Sequence, residues 1–283
     1  MKKILVLGVS GMAGHMIYTV LGETKNYEIV GTTNSQNFES QNKKLNIYDR
    51  NQLIKIIEDF KPDFVINCVG ILIKESKDFP DNAIFGNSYF PHLLARLSVE
   101  MDFKLIHIST DCVFSGKTGG YKEDSIKDAT DTYGLSKSIG EIIDDKNLTV
   151  RTSIIGPEIK SNGEGLFHWF MTQNQNEITG YKSNMWSGVT TLELAKFIKW
   201  VLEKDYTGLI HLTNGTPISK FDLLNIFNDI YKKNITINDN KDYACDKSFI
   251  NTKIEYSVPS YEEMIREQKE FMDSHNFYSH YKA

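Results

Sequence analysis

A chain of 283 residues, 40% hydrophobic and 24% charged, has the composition of a water-soluble protein that can bury a large core, in one big domain or two modest ones. Its net charge of −5 supplies no basic field, which argues against nucleic acid as a partner. Cys68, Cys112 and Cys245 are widely spaced and form neither a disulfide framework nor a metal-ligand pattern, so no metal is expected and the cytoplasm is the expected compartment.

The N-terminal MKKILVLG carries an apolar run that glycine cuts off at residue 8, too short for a signal segment, and it predicts a buried strand. No run of about 18 apolar residues occurs, so no membrane span is expected. A helical pattern follows from Met12 to Leu21, then a strand over 27–33 and a polar loop over 34–44. Asp49 followed by Gln52 reads as a capping box opening a helix to Phe60. FVINCVG (64–70) is a buried strand, and a helix is predicted from Asn87 to Met101. KLIHIST (104–110) is a strand, 132–144 a helix and LTVRTSIIG (148–156) a strand. The second half is less regular: helical periodicity covers 165–173, 190–204 and 219–233, with a strand over 208–215. Strands of continuous hydrophobicity alternating with helices predict an α/β fold with a Rossmann-type, doubly wound parallel sheet.

Between the first strand and the first helix lies Gly8-Val9-Ser10-Gly11-Met12-Ala13-Gly14. Glycines in that context let backbone N–H groups approach a pyrophosphate, and the helix N-terminus adds its dipole. The residues after the second strand, Thr32, Thr33, Asn34 and Ser35, include no acid to hold a ribose 2′-hydroxyl, while Lys43 and Lys44 lie a little further on. NADPH is therefore favoured, with NADH open. Ser115-Gly116-Lys117-Thr118 contains the end of a P-loop signature, but Asp111 stands where its leading glycine belongs.

Ser109-Thr110-Asp111 ends a predicted strand, at the sheet edge where ligands of open α/β sheets bind. Tyr133 and Lys137 follow at helical i, i+4 spacing in DTYGLSK. Free tyrosine, with a pKa of about 10, is a poor proton donor near neutrality. A neighbouring cation is expected to lower that value, and the Thr110 hydroxyl can bond the same substrate oxygen.

These residues resemble the extended short-chain dehydrogenase/reductases, and within them the dTDP-4-dehydrorhamnose reductase (RmlD-like) family. The resemblance is carried by GVSGMAGH, NCVG, STDCVFSG, DTYGLSK followed by GE, RTSIIG and WSGVTTLELA, in order over about the first 200 residues. It implies hydride transfer from the nicotinamide to a C4 ketone, with Tyr133 donating the proton, Lys137 on the nicotinamide ribose and Thr110 on the carbonyl. It places Gly8, Ser10, Gly11, Met12, Gly14, Thr32 and Asn34 around the cofactor, with Asn46 and Ile47 at the adenine. Many relatives have aspartate at the position of Asn46. Cys68, Val69 and Gly70 would line the cleft, and Asn87 would sit beneath the nicotinamide. Thr110, Asp111, Arg151 and Trp186 would meet the sugar nucleotide. Core packing and stacking remain equal alternatives for Trp186, and His168 is read as packing.

STDCVFSG, RTSIIGPE and WSGVTT look closest to reductases of UDP-2-acetamido-2,6-dideoxy-hexos-4-uloses, which make UDP-N-acetyl-rhamnosamine or quinovosamine-type donors; dTDP-4-dehydrorhamnose is the alternative substrate. An epimerase or dehydratase is the rival of the same fold, which would show no net cofactor consumption; a dehydratase is disfavoured because Asp111 is followed by Cys112 rather than a second acid. The rival of another class is a non-catalytic NADP-binding regulatory subunit, like the one that binds methionine adenosyltransferase. The expected organisation is a dinucleotide-binding domain, 1–153 with 189–213 returning to it, and a smaller substrate-binding domain, 154–188 and 214–283. The sequence leaves the oligomeric state open, a homodimer included.

Overall fold

Apolar side chains on both faces of Lys2–Leu7 make β1 a strand that water cannot reach, and its last four residues are buried. The computed structural model describes residues 1–34 and 42–281. β1 runs into α1 (Met12–Glu23), β2 (Tyr27–Thr33) and the two-residue β3 (Lys43–Lys44). The predicted polar loop thus ends in a strand, which pairs Lys43 and Lys44 with Thr32 and Thr33; residues 35–41 of that loop lie outside the described residues. α2 (Arg50–Phe60) starts at Asp49, whose carboxylate accepts the Gln52 N–H at 3.0 Å. Only half of the expected capping box forms. The Gln52 side chain accepts instead from the N–H of Asn46, at 2.9 Å.

β4 (Phe64–Asn67) is followed by a helical region that begins earlier than predicted and is not uniform. α3 (Ile73–Asp78) and α4 (Pro80–Ala83) lead into a π-helical turn, Ile84–Tyr89, continuous with α5 (Phe90–Glu100). β5 (Lys104–Thr110) ends in a 3-10 turn, Asp111–Val113. α6 (Thr132–Ile139) stops at Gly140 rather than near Asp144. The predicted strand over 148–156 is two strands, β6 (Leu148–Thr152) and β7 (Ile154–Ile155), broken at Ser153. Beyond them come α7 (Leu166–Met171), β8 (Glu177–Tyr181), β9 (Asn184–Trp186), β10 (Val189–Thr190), α8 (Thr191–Val201) and β11 (Gly208–Leu212). The chain finishes with β12 (Ile218–Ser219), α9 (Lys220–Tyr231), β13 (Thr236–Asn240), β14 (Cys245–Asp246), α10 (Tyr261–Ser274) and a 3-10 segment, Asn276–Tyr281.

Seven strands form one sheet in the order β11-β6-β5-β4-β1-β2-β3, with β2, β1, β4 and β5 pairing in parallel. The chain winds outward from β1 to β3, then returns to the other side of β1 with β4. The strand order therefore reverses between β1 and β4, the position at which open α/β sheets bind ligands. Leu53, Ile57 and Phe60 of α2 and Phe90, Leu94 and Leu97 of α5 join Leu5, Val65 and Leu105 of the sheet in one buried cluster.

The chain divides into two compact units, 1–114 with 126–151 and 195–210, and 115–125 with 152–194 and 211–283. Residues 115–125, read from sequence as part of the first unit, group with the second. In the second unit β8 pairs in parallel with β13, and β9 lies between β12 and β14. Phe167 packs edge-on against Phe227 and Tyr231, with ring centres 5.4 and 5.1 Å apart. Among the described residues no helix is long and apolar enough to cross a membrane, and no cluster of three or more His, Cys, Asp or Glu side chains could hold a metal.

Candidate active site

Two loops meet at the reversal point. Gly8 leaves β1 with φ +85°, a conformation that L side chains rarely adopt, and its N–H and that of Val9 both donate to the Thr32 carbonyl. Gly14 has no room for a side chain: a Cβ there would lie 2.2 Å from the Gly8 carbonyl oxygen. The close approach brings the start of α1 against the turn. Gly11 caps that helix without any side-chain bond, and its first turn carries no acidic residue, leaving a positive helix end for an anion. Ser10 accepts from the Thr33 hydroxyl at 3.1 Å, and Met12 opens the helix. His15, one residue past the last glycine, bonds the Gly11 carbonyl through Nδ1 at 2.9 Å; burial lowers its pKa to about 4, so it is neutral there. The glycine motif did not single out this latch.

The second loop follows β4. Asn67 accepts from the Val69 N–H, and its amide nitrogen meets Nδ1 of buried His107 at 3.1 Å. The half-buried Cys68 has its thiol pushed up to about 12 by loss of water, which makes it an unreactive thiol. Asn87 lies inside the π turn, a geometry common at functional sites. Its side chain accepts from the Ile71 N–H at 2.8 Å and donates to the Ile71 carbonyl and the Ser136 hydroxyl. It therefore ties the β4 loop, which includes Gly70, to α6. Asn46 bonds its own turn, accepting from the Tyr48 N–H, while Asn34 is exposed at the end of β2.

Asp131 caps α6 by accepting the Gly134 N–H, which sets the helix so that Tyr133 and Lys137 lie one turn apart. The Tyr133 hydroxyl shares a hydrogen bond with Thr110. Thr110 in turn donates to the Asp111 carboxylate at 3.1 Å and accepts from the Cys112 N–H. Lys137 is buried and donates to the Ile108 carbonyl at 2.8 Å. The expected lowering of the Tyr133 pKa by Lys137 is not found. Burial pushes the phenol above its ordinary value, Asp111 and Asp131 add to that, and only the Thr110 bond opposes it. Lys137 is the group that moves down, to about 8, mainly through burial.

Two residues expected at the substrate serve the core instead. Arg151 is 1% exposed and gives Nε and Nη2 to the two oxygens of Glu141, at 2.8 and 2.7 Å, with its guanidinium 4.9 Å from the Phe114 ring centre. Trp186 is 3% exposed; its indole N–H donates to Ser153 and its ring packs on Tyr261. The neighbouring stretch holds a better candidate that sequence reasoning missed. A cavity of about 670 Å³ lies within the second unit, lined by Trp169, Tyr181, Asn184, Lys220 and Asn238 among others. Trp169 and Tyr181 are each about two-fifths exposed. FHWF marked Trp169 as aromatic, but only the fold shows which ring of that run faces outward.

A profile of the RmlD substrate binding domain family matches residues 1–253. The chain belongs to that family. Among sequence relatives within reach of this RmlD-family chain is dTDP-4-dehydrorhamnose reductase of Aggregatibacter actinomycetemcomitans, 28% identical over 159 residues, covering 54% of this chain and 51% of the relative. Methionine adenosyltransferase 2 subunit beta of Xenopus laevis is 31% identical over 146 residues, 50% of this chain and 42% of the relative. The chain thus spans about half the length of the curated relatives it matches. The crystal structure of dTDP-4-dehydrorhamnose reductase from Bacillus anthracis in complex with NADP superposes with a TM-score of 0.82 at 20% identity, covering 97% of this chain and all of the other. It shares the fold of this RmlD-family chain.

Proposed function

We propose that the protein is an NADPH-dependent reductase of the C4 ketone of a nucleotide-activated 4-keto-6-deoxy sugar. The observation that carries this is the Tyr133 hydroxyl, hydrogen-bonded to Thr110 at the carboxyl edge of the sheet and kept protonated by burial. A proton-loaded phenol is what a ketone reduction needs, because the oxygen gains a proton as its carbon gains hydride. The nicotinamide cofactor, when bound, supplies that hydride. Thr110 orients the carbonyl oxygen toward Tyr133, and the Lys137 ammonium holds the ribose. Gly8, Gly11 and the open first turn of α1 fit the pyrophosphate. Lys43 and Lys44, beside Thr32 and Thr33 in β3, suit a 2′-phosphate. Within the second unit, the cavity offers a nucleotide a stacking face in Trp169 and a cation in Lys220.

For the sugar itself, the sequence segments named above support a UDP-2-acetamido-2,6-dideoxy-L-hexos-4-ulose, and the name of the Aggregatibacter relative supports dTDP-4-dehydrorhamnose. NADPH oxidation against a panel containing both, with product stereochemistry read by NMR, tests the proposal. Turnover of at least one 4-keto sugar nucleotide is expected, and none with any of them overturns it. The match to a methionine adenosyltransferase beta subunit favours one second reading, a non-catalytic NADP-binding regulatory subunit. Cofactor binding without turnover, together with retention of a partner enzyme on the immobilised protein, is its signature.

A further inference from the structure

Glu141 stands just past α6, and nothing in the reaction outlined above uses it. Its side chain is fully buried, yet it gathers four contacts from three places in the first unit. The Ser109 hydroxyl donates to it at 2.7 Å, Arg151 of β6 binds both its oxygens, and Lys127 approaches to 3.2 Å. Burying a carboxylate is costly unless it is paired and hydrogen-bonded, so this one is held by design of the site rather than tolerated. Ser109 immediately precedes Thr110, while Lys137 holds the carbonyl of Ile108. The end of β5 is therefore gripped at two consecutive residues, by Lys137 from one side chain and by Glu141 from another.

We propose that Glu141 is a positioning residue for the Tyr133 reaction: it fixes the end of β5 beneath Thr110 and supplies the negative charge that keeps the buried Lys137 ammonium protonated. The proposal rests on the reductase reading above. The groups that bear on Lys137 are Glu141, Cys68 on the loop after β4, and His107 on β5. Cys68 is uncharged near neutrality, its thiol being pushed up to about 12. His107 is neutral too, since burial and the ammonium itself hold it well below its ordinary value. The carboxylates of the other elements packed on α6 act elsewhere: Glu75 and Asp81 on Tyr48, Asp78 on Lys74, and Asp111 on Tyr133. Burial alone would raise the Glu141 pKa, but Arg151, Ser109 and Lys127 outweigh it and hold the carboxyl below the usual range. It is ionised at any pH where Lys137 titrates.

The test is a pair of measurements on Glu141→Gln. In the free protein, the ¹³Cε signal of Lys137, assigned by its loss in Lys137→Met, is titrated; its midpoint is expected to fall by about one pH unit. In turnover, the alkaline limb of kcat is expected to move down by the same amount, with NADPH binding within about twofold of wild type. An unmoved midpoint in a folded variant overturns the proposal. If Arg151, left unpaired, prevents folding, Glu141→Gln/Arg151→Met removes both buried charges and is judged by the same titration; its midpoint is expected to fall by less, because a cation leaves with the anion, and an unmoved midpoint overturns the proposal. The titration needs no substrate, so absence of all ketoreductase activity would sink the reductase reading while leaving the measured charge coupling in place. A moved midpoint with an unmoved kcat limb in an active enzyme would overturn the positioning role given to Glu141 while leaving the reductase reading in place.

Discussion

Tyr133 is half-buried, bonded to Thr110, and faced by Asp111 and Asp131 rather than by a free cation. Each of these except the Thr110 bond favours the neutral phenol. Tyr133→Phe removes the proposed proton donor while keeping the ring's packing, and is expected to lower kcat by roughly 10²–10⁴ with cofactor binding unchanged. Fluorescence titration with NADPH and single-turnover kinetics check both halves; near-normal kcat would remove Tyr133 from the reaction. At this scale the sequence was informative wherever a motif names the atom. Thr110, Tyr133 and Lys137 stand out by spacing and by strand-end position. Arg151 is buried where the motif implies a substrate contact, and of the two alternatives for Trp186 the structure shows packing; their burial depends on Glu141 and Ser153, partners that local sequence does not reveal. Glu141 was overlooked for the converse reason, since a glutamate after a helix ordinarily faces solvent.

Helix α6 carries the cost of one of its own residues. Lys137 has a pKa of 10.5 when exposed and about 8 in the fold. Between those values the unfolded chain binds more protons than the folded one, so stability contributed at this site rises as pH goes from 8 to 10.5. The amount is about 3 kcal/mol, from about 1.4 kcal/mol per pH unit. Lys137→Met should therefore lose stability relative to wild type by about that much across this window. Paired urea titrations at pH 8 and 10 capture about 2 kcal/mol of it, and the comparison cancels the buried tyrosines, whose raised values act in the opposite sense above pH 10. A constant difference would mean that the ammonium is better solvated than its burial implies. Other elements were legible to different degrees. β1, β4 and β5 announce themselves by continuous hydrophobicity. The π turn does not, because Ile84–Tyr89 differs from an α-helix only in hydrogen-bond partner. α10 has a clear apolar stripe at Tyr261, Met264, Ile265 and Met272, yet it lay beyond the region where motifs guided the reading.

In the whole molecule, the first unit is ordered by one sheet and the second by short pairings. β12 and β14 are two residues each, and β13 shows the burial pattern of an exposed ribbon. Short, half-exposed strands leave little periodicity to read, which is why the second unit's architecture and its cavity were not anticipated. Trp169→Ala, at the rim of that cavity, is expected to raise KM for the sugar nucleotide about tenfold or more through loss of a stacking face worth roughly 1–3 kcal/mol. kcat should change little, and quenching of the protein's total tryptophan fluorescence by the free nucleoside diphosphate should be lost in the variant. An unchanged KM would place the nucleotide elsewhere.

The π turn also constrains how the chain can vary. Each residue of an α-helix advances the azimuth by about 100°, and the extra residue in Ile84–Tyr89 puts α4 and α5 out of phase by that angle. Deleting one residue there would restore regular helix and swing Asn87 away from Ile71 and Ser136, releasing the β4 loop from α6 in a single step. Substitutions along α5 can be absorbed one side chain at a time. A change of length at this point cannot, since it turns every later residue of the helix about its axis at once.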